Sequence, residues 1–369
     1  MKHQFLIFID SLFKPFYTVI NALKRKGESS PENQHFLVLK FFGLGSITRI
    51  VHVMDAIALP KERVTFVTLY KNKSVIDLLD LQALYVNTKH PLIFIRSVFQ
   101  LIVHIWKLKN TTILDMERAS NISGLFRLMI GFKKPCHSFH FKSENQNRPG
   151  QFFVSLKNKP ATQAIAEMFH HTYIEPLARE NKPISSNKVF VNINAGNYIS
   201  ERKFTPSKYA DLIKTLHDKN PHWEFYLTGA KAEYHYVEAF KNRLTSLGIP
   251  APQVYNIAGQ HNLSGFITFL EEAKLFITND SGPLHLAHFF GIKTVGIWGP
   301  TSSRLVGYKD SNHMLNFNPE IDCAPCFTHP KSQIAKSCQG EITCFKLRNT
   351  GEMASKIISF AKLEKEIVA

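Results

Sequence analysis

The chain has 369 residues, 44% of them hydrophobic and 20% charged, which is the composition of a globular protein of about two domains and excludes a disordered or fibrous chain. It carries 45 Lys and Arg against 29 Asp and Glu, and residues 1–180 hold 24 of the basic but only 13 of the acidic residues. A basic first half indicates an anionic partner, such as phospholipid headgroups, a phosphorylated substrate or nucleic acid, unless the whole proteome is basic.

Residues 4–23, QFLIFIDSLFKPFYTVINAL, form the first apolar stretch, which is interrupted by Asp10 and by Lys14–Pro15. A basic KRK triplet follows the stretch instead of preceding it, which argues against a secretory signal. We therefore predict that residues 1–30 form an amphipathic membrane-associating segment, with a core-packing helix as the alternative. No uninterrupted apolar run in the sequence reaches the roughly 18 to 20 residues that a membrane span needs.

Strand-like runs alternate with helical patterns in the first half. The runs are FLVLKFF (36–42), VTFVTL (64–69) and TTILDM (111–116), and an unusually apolar helical pattern covers 91–109. This alternation predicts βαβ units and a parallel sheet, and thus a Rossmann-like domain over 31–180. The helical pattern at 91–109 suits either contact with a membrane interface or a crossover helix buried on the sheet.

The alternation starts again after a linker at 178–187. The strands of the second half are predicted at KVFVNIN (188–194), WEFYLTG (223–229), KLFITND (274–280) and KTVGIWG (293–299). They predict a second α/β domain over 188–350, followed by a helix at 351–369 that packs back on the first domain. Ligands of open α/β sheets bind beyond the carboxyl ends of the strands, so two such domains predict parallel sheets that face an interdomain cleft.

Polar residues and glycines follow the strands of the second half, as a nucleotide site requires. Gly282 allows close backbone approach, and a helix that starts near Pro283 would direct free N–H groups and its positive dipole end at a diphosphate. Ser281 can add a hydroxyl, while Arg202 and Lys203 can neutralise phosphate charge.

Two other chemistries are considered for the same stretch. His285 and His288 are three residues apart on one helix and so can share a face, but zinc needs further ligands and only Asp280 is at hand. Ser281 lacks the GxSxG context of a nucleophilic serine. The stretch is therefore interpreted as a phosphate and sugar cradle, in which His288 packs and His285 either contacts the donor or packs.

The stretch TNDSGPLHLAHFFGIKTVGIWGPT resembles the donor-binding signature of glycosyltransferase family 9, the ADP-heptose:lipopolysaccharide heptosyltransferases. The residues that match it are Asp280, Ser281, Gly282, His285, Gly291, Gly299, Pro300 and Thr301. The upstream NINAGNYISERKFTPSKYADLI is similar to the loop of the family that begins with N-x-G-A. The resemblance extends over nearly the whole chain from about residue 36 and implies the GT-B fold.

The resemblance also implies a set of donor-binding residues. Glu233 in LTGAKAEYHY would bind the ribose, Leu263 would lie against the nucleotide base, and Asp280 would bind sugar hydroxyls. The complete donor-binding set is Asn194, Gly196, Asn197, Arg202, Lys203, Glu233, Leu263, Asp280, Ser281, Gly282, Pro283 and His285. The sequence has no DxD motif and its DxE at 115–117 falls in the acceptor half, so we expect transfer without a metal or other cofactor.

The first loop departs from the family pattern. Family members have Gly-Asp there, and the aspartate is taken to activate the acceptor hydroxyl, whereas this chain has Gly45 and Ser46. A neutral serine cannot act as a base near pH 7 without help. The nearest replacements are Asp115 and Glu117, whose side chains would lie on one side of a strand, and Glu117 is favoured. The alternatives are a capping role for Asp115 and a salt bridge for Glu117.

Four of the five cysteines lie late in the chain, with the spacing C-x2-C-x11-C-x5-C. This spacing permits a structural zinc site, although reduced thiols or occasional disulfides fit it equally. The candidate ligands are Cys323, Cys326, Cys338 and Cys344.

The sequence therefore predicts an inverting glycosyltransferase that moves a sugar, with heptose favoured, from a nucleotide sugar to a lipopolysaccharide-core or other anionic lipid-linked glycan. The expected donor is ADP-heptose, the expected location is the cytoplasmic face of a bacterial inner membrane, and nucleic acid is not an expected partner. Two alternatives stay open: a catalytically silent nucleotide-sugar-binding subunit of an envelope-polymer assembly, and a nucleotide-sugar epimerase.

Overall fold

A computed structural model of the chain describes residues 34–88, 90–117, 123, 127, 134–141, 144–148, 151–179, 186–196, 200–326, 338 and 343–362. The chain divides into two compact units between Pro176 and Leu177. The predicted membrane-associating segment at 1–30 lies outside the described residues.

The first unit contains a seven-stranded sheet in the order β3-β2-β1-β4-β5-β7-β6. All neighbouring strands are parallel except β6 and β7, which are antiparallel. The strands are β1 (His35–Leu39), β2 (Val64–Leu69), β3 (Gln82–Val86), β4 (Thr111–Asp115), β5 (Cys136–His140), β6 (Gln146–Arg148) and β7 (Gln151–Ser155). The central strands β1 and β4 are buried along almost their whole length, which explains their continuous apolar runs.

The described helices of the first unit are α1 (Leu44–Ala56), α2 (Lys73–Leu78), α3 (Pro91–Lys107) and α4 (Ala161–Met168). Helix α1 follows β1 after a short loop and packs against α4. Helix α3 packs on the edge strand β3. The β-α alternation predicted for this half is confirmed.

The second unit contains a six-stranded parallel sheet in the order β10-β9-β8-β11-β12-β13. The strands are β8 (Lys188–Asn192), β9 (Glu224–Leu227), β10 (Val254–Asn256), β11 (Leu275–Asn279), β12 (Thr294–Ile297) and β13 (Met314–Phe317). Numbered from its own first strand, this sheet has the 3-2-1-4-5-6 order of dinucleotide-binding folds, and its strand order reverses between β8 and β11. The predicted Rossmann-like architecture is confirmed.

The described helices of the second unit begin and end as their sequences suggest. Helix α5 (Pro206–Lys219) has proline in its first turn and is capped by the Thr205 side chain, while Asn262 caps α7 (Leu263–Leu270). The others are α6 (Tyr234–Ser246), α8 (Gly282–Phe289), α9 (Ser303–Val306), α10 (Thr343–Lys346) and α11 (Thr350–Lys362).

The last helix lies in the second unit. The apolar face of α11 belongs to the hydrophobic core of that unit, where it packs on α5 and β13. The expected packing of residues 351–369 on the first domain stays a prediction, and residues 363–369 lie outside the described residues. Met353, Ile357 and Phe360 form that face at helical spacing and are all buried. Lys293 Nζ donates a hydrogen bond to the carbonyl of Phe360 at 3.0 Å, which fixes the end of the helix.

Replacing Ile357 by alanine should therefore destabilise the second unit. The side chain is fully buried, and truncations of this kind typically cost about 2–5 kcal/mol in the free energy of unfolding. Lys356→Ala on the exposed side of the same helix is the matched control, with an expected change within about 0.5 kcal/mol. Urea denaturation measures both, and equal effects of the two substitutions would contradict the packing of α11.

Candidate functional site

The side chain of Asn279 joins the two loops of the second unit that follow β8 and β11. Its Nδ2 donates to the carbonyl oxygens of Asn192 at 3.4 Å and of Asn194 at 3.2 Å, and its Oδ1 accepts from the backbone N–H of Phe204 at 2.9 Å. Asn279 is fully buried, so these bonds are protected from water. The β8–α5 loop is thereby held beside Asp280, and this role of Asn279 was not found from the sequence.

Ser281 is held inside the protein at the start of α8. Its Oγ accepts from Asn192 Nδ2 at 3.2 Å and lies 3.1 Å from Thr278 Oγ1. Ser281 therefore does not cap the helix with its own side chain, and the first-turn N–H groups of α8 receive no side-chain cap. Gly282 and Pro283, the first two residues of α8, follow it as predicted. This helix start has the backbone geometry that favours an anion.

Asp280 and Arg202 form an ion pair at the same edge of the sheet. Arg202 Nη1 lies 3.3 Å from Asp280 Oδ2, and Arg202 Nη2 donates to the carbonyl of Ala195 at 2.9 Å. Asp280 is buried, whereas Arg202 is partly exposed. Arg202, predicted to neutralise phosphate, thus also fixes the orientation of the Asp280 carboxylate.

Two histidines of α8 contact Tyr308, which had not been predicted to contribute. His285 Nδ1 lies 3.2 Å from the Tyr308 hydroxyl, and His285 Nε2 lies 3.9 Å from Asp280 Oδ1. The His288 ring stacks on the Tyr308 ring with centroids 3.7 Å apart and planes at 3°. His288 therefore packs as expected, while His285 links the Asp280 carboxylate to the Tyr308 hydroxyl.

Asn194 and Gly196 lie in the loop that Asn279 holds. Asn194 Nδ2 donates to the carbonyl of Thr228 after β9 at 3.5 Å, whereas its buried Oδ1 has no hydrogen-bond partner among the described residues. Gly196 has φ +67°, a conformation that favours glycine, and, apart from Gly196 itself and its chain neighbours, no atom of the described residues lies within 4 Å of the position that a Cβ would take. A buried acceptor without a partner is a group that a ligand can satisfy. Asn197 lies outside the described residues.

The residues predicted for the nucleoside also lie at this end of the unit. Lys203 Nζ lies 5.4 Å from the centroid of the Tyr236 ring. Burial raises the pKa of Tyr236, and the neighbouring Glu233 raises it further, so these three side chains are near one another. Glu233 Oε2 accepts from the Ala230 N–H at 2.8 Å, which fixes the turn before α6. Leu263 is the half-buried first residue of α7.

In the first unit, Glu117 is held by three donors. Glu117 Oε2 lies 3.0 Å from Lys40 Nζ, and its Oε1 accepts from the backbone N–H groups of Phe41 at 2.6 Å and of Phe42 at 3.1 Å. These contacts are the salt bridge that the sequence left open as an alternative to catalysis. A carboxylate held by a cation and two amides fixes the β1–α1 loop.

Asp115 lies deeper in the first unit. Its carboxylate accepts from Ser123 Oγ at 3.1 Å and from the Glu117 N–H at 3.2 Å, and Arg127 Nε lies 3.7 Å away. Burial raises the pKa of Asp115 to about 6, although Arg127 opposes the shift. Its bond to the Glu117 N–H joins residues two positions apart, and residues 118–122, where a capped helix would begin, lie outside the described residues, so the capping role stays a prediction.

Gly45 and Ser46 belong to the first turn of α1. The helix is preceded by Gly43 at φ +88°, and the Ser46 N–H donates to the Gly43 carbonyl at 3.0 Å. Gly45 is buried and Ser46 is half-buried. The position where the family pattern has an aspartate is thus a neutral hydroxyl at a helix start.

The late cysteines are all free thiols. Burial raises the pKa of Cys344 to about 11, and the nearby Cys326 and Cys338 raise it further. Among the described residues, no three His, Cys, Asp or Glu side chains are arranged to hold a metal ion, and the zinc site considered for Cys323, Cys326, Cys338 and Cys344 stays a prediction.

Two Rossmann-like units, with polar groups gathered at the point where the strand order of the second sheet reverses, are the architecture of the GT-B fold. The model of glycosyltransferase family 9 (heptosyltransferase) matches residues 148–336, just over half of the chain. The chain therefore belongs to glycosyltransferase family 9, as the strand-end motifs had indicated.

Individual relatives agree with this family. The lipooligosaccharide heptosyltransferase 2 of Campylobacter jejuni is 26% identical over 189 residues, which cover 50% of this chain and 56% of that protein. The chain thus matches only about half the length of this relative. The structure of Escherichia coli ADP-heptose lipopolysaccharide heptosyltransferase II superimposes with a TM-score of 0.62 and 12% identity over 89% of this chain and 98% of that one.

A second similar structure is the iron-containing dodecameric glycosyltransferase TibC from enterotoxigenic E. coli. It superimposes with a TM-score of 0.52 and 13% identity over 92% of this chain and 77% of that one. At these identities the two structures show a shared fold.

The raised pKa of Asp115 predicts a pH-dependent stability. Between about pH 4 and pH 6 the folded chain holds a proton on Asp115 that the unfolded chain has lost, so this contribution to stability is present below pH 4 and is lost as the pH rises through 6. Relative to wild type, Asp115→Asn should gain up to about 3 kcal/mol in the free energy of unfolding between pH 4 and pH 7.

Denaturant titrations at several pH values measure this gain. Glu62→Gln replaces an exposed carboxylate of the same unit and serves as the control. A pH dependence of Asp115→Asn that parallels that of wild type would contradict the raised pKa.

Proposed function

We propose that this protein is an inverting glycosyltransferase that transfers a sugar, with heptose favoured, from a nucleotide sugar to a lipopolysaccharide-core or other lipid-linked glycan. The main observation behind the proposal is that Asn279 holds the polar groups at the ends of β8 and β11 together. Membership of glycosyltransferase family 9 supports it. Similar proteins are named for transfer of heptose from ADP-heptose, so ADP-heptose is the favoured donor.

The start of α8 is the proposed binding site of the donor diphosphate. Its first-turn N–H groups have no side-chain cap, and the positive end of the helix dipole stabilises negative charge. In an inverting transfer the diphosphate leaves with increasing negative charge as the bond to the sugar breaks, so donors at this position stabilise the transition state more than the ground state.

Asp280 is proposed to bind the sugar. Its carboxylate is buried and its orientation is fixed by Arg202 on one oxygen, while the other oxygen faces His285. A carboxylate held in this way can accept hydrogen bonds from sugar hydroxyls without a large cost of reorganisation. The partner-free Oδ1 of Asn194 offers a second acceptor nearby.

Glu117 and Asp115 are the proposed carboxylates on the acceptor side. The reaction needs a group that takes the proton of the attacking hydroxyl, and Ser46 cannot do so alone. Glu117 is the more exposed of the two but is engaged by Lys40 and two amides, whereas Asp115 has a pKa close to neutral but is enclosed. We therefore propose two roles to be separated by experiment: Glu117 either accepts the proton or positions the β1–α1 loop.

The Lys40→Met and Glu117→Gln pair separates the two roles. If Glu117 positions the loop, both substitutions break the same salt bridge and both should lower kcat/KM for transfer by about tenfold or more. If Glu117 is the base, Glu117→Gln should abolish transfer while Lys40→Met keeps it, because the carboxylate is then less tightly engaged. Full activity of Glu117→Gln would exclude both roles.

We further propose that the transfer proceeds without a bound metal. The diphosphate charge is matched here by backbone N–H groups and by Arg202 and Lys203, and the described residues contain no cluster of metal ligands at the site. TibC is iron-containing, so this proposal needs its own test. Transfer should persist after treatment with a chelator, and loss that Fe²⁺ or Mg²⁺ restores would overturn it.

The proposed place of work is the cytoplasmic face of the bacterial inner membrane, where a lipid-linked acceptor is within reach. No helix among the described residues is long and apolar enough to span a bilayer. The excess of basic residues in the first half suits an anionic lipid surface.

A catalytically silent nucleotide-sugar-binding subunit is the second candidate. The neutral Ser46 and the engaged state of Glu117 favour it, because no free carboxylate is described beside the β1–α1 loop. Calorimetry that detects binding of ADP-heptose, together with no transfer to any lipid-linked acceptor, would establish this candidate in place of the first.

Asp280→Asn provides the test of the donor site. Loss of the charge leaves Arg202 without its partner and weakens the contacts to the sugar, so kcat/KM should fall by about a hundredfold. Asp211→Asn, on the exposed side of α5, is the control and should retain activity. Transfer of radiolabelled sugar to lipopolysaccharide measures both variants, and an active Asp280→Asn would contradict the proposed site.

A further inference from the structure

Helix α3 of the first unit is apolar on two sides. One side is buried: Leu101, Ile102 and Ile105 pack in the core cluster that also contains Val86 of the edge strand β3. This packing makes α3 the crossover helix that the sequence suggested as one reading of residues 91–109. It accounts for only part of the apolar residues of the helix.

A second side of α3, next to the buried one, exposes large apolar side chains. Leu92, Phe99 and Trp106 are 71%, 66% and 61% exposed. They are seven residues apart, which is about two helical turns, so they lie in one stripe along the helix. We call these three residues the α3 stripe. In the first turn, Ile93 and Phe94 are exposed as well, so the apolar surface is widest at the beginning of the helix.

The Asp, Glu, Lys and Arg residues near the α3 stripe in the sequence are all basic. The sequence contains no Asp or Glu between Asp80 and Asp115, while Lys89, Arg96, Lys107 and Lys109 fall within this interval. Arg96 is exposed and, four residues after Leu92 and three before Phe99, lies on the same side of the helix as the stripe. Lys107 follows Trp106 at the other end and is also exposed.

We propose that the α3 stripe docks on the surface of an anionic phospholipid bilayer, with the helix parallel to the membrane plane. The apolar side chains would enter the boundary between headgroups and acyl chains, while Arg96 and Lys107 would contact lipid phosphates. Tryptophan next to lysine suits this boundary, because the indole has an apolar body and one polar N–H. The proposal rests on the proposed function in one respect, namely that a lipid-linked acceptor brings the protein to a membrane.

A bilayer fits this surface better than a protein partner. The stripe is a convex helix surface that offers apolar side chains and cations together, and no acidic residue within residues 81–114 limits its approach to an anionic surface. A polyanionic apolar surface, which a phosphatidylglycerol membrane provides, complements both properties at once.

The tryptophans of the chain provide a direct probe. The sequence has three, of which Trp223 and Trp298 are buried and Trp106 is exposed. Vesicles of phosphatidylethanolamine and phosphatidylglycerol added to the full-length protein should therefore shift its emission to shorter wavelength, and brominated acyl chains should quench it. Trp106→Phe should lose both signals. Persistence of both signals in Trp106→Phe would overturn the assignment to α3.

Vesicle sedimentation of the full-length protein tests the binding energy. Phe99→Ser combined with Trp106→Ser should lower the partition coefficient by about tenfold or more, since two large apolar side chains no longer leave water. Leu347→Ser, which replaces a side chain of the second unit that is 67% exposed, is the control and should change it less than twofold. Arg96→Gln combined with Lys107→Gln should weaken binding about tenfold on phosphatidylglycerol vesicles and leave binding to neutral phosphatidylcholine vesicles unchanged.

Two results would overturn the proposal. One is wild-type partitioning of the Phe99→Ser and Trp106→Ser combination, which would place membrane binding elsewhere in the chain. The other is a dimer in solution that this combination dissociates without loss of vesicle binding, which would make the stripe an interface between copies. Vesicle binding is measured without donor or acceptor, so failure of the transferase assignment would leave the vesicle result unchanged. If the Phe99→Ser and Trp106→Ser combination retains transfer to a water-soluble acceptor, docking and catalysis are separate.

Discussion

The buried amide of Asn279 is the interaction on which the candidate donor site depends. One side chain holds the carbonyl of Asn192 at the end of β8, the carbonyl of Asn194 in the following loop and the N–H of Phe204 near the end of that loop. These bonds anchor the loop beside β11, and Arg202, within the same loop, reaches Asp280. Every sheet of this topology has a point where the strand order reverses and where ligands can bind. Here the amide of Asn279 fixes the positions of the groups around that point.

Electrostatics at the site follow from this geometry. Arg202 shares its charge with Asp280, so the uncapped start of α8 and the charge of Lys203 are the further positive groups proposed for a diphosphate. His285 lies between the Asp280 carboxylate and the Tyr308 hydroxyl, and His288 stacks on the same tyrosine ring. The arrangement therefore couples the carboxylate to the packing of α8, which keeps it in one orientation.

The sequence allowed seven of the thirteen described strands to be predicted, namely β1, β2, β4, β8, β9, β11 and β12, because apolar runs that end in polar residues or Gly mark parallel strands and their carboxyl ends. The strands β3, β5, β6, β7, β10 and β13 were not predicted. The candidate donor site was placed from the same strand ends. The sequence did not allow the partners of the residues at that site to be predicted. Arg202 and Asp280 are far apart in the chain, and Tyr308 lies in a segment without a motif. The packing of α11 on α5 and β13 was not predicted either, because an amphipathic stripe shows that a helix is buried but not against which elements.

The state of Glu117 illustrates the same limit. Its place at a strand end was predicted, but its donors are set by the register of two strands, in which Leu39 lies opposite Asp115. That register brings Lys40, Phe41 and Phe42 beside Glu117, and these residues donate to its carboxylate. The sequence suggested a salt bridge as one alternative but not which residues would form it. Strand register depends on tertiary pairing, and a single sequence does not encode it locally.

The central claim is that the start of α8 binds the diphosphate of the donor, and a crystal structure of the protein with ADP tests it most directly. The account predicts the two phosphates at the first-turn N–H groups of α8, within hydrogen-bond distance of Gly282 and near Arg202. Phosphates bound elsewhere in the chain, with this helix start in contact with water alone, would contradict it.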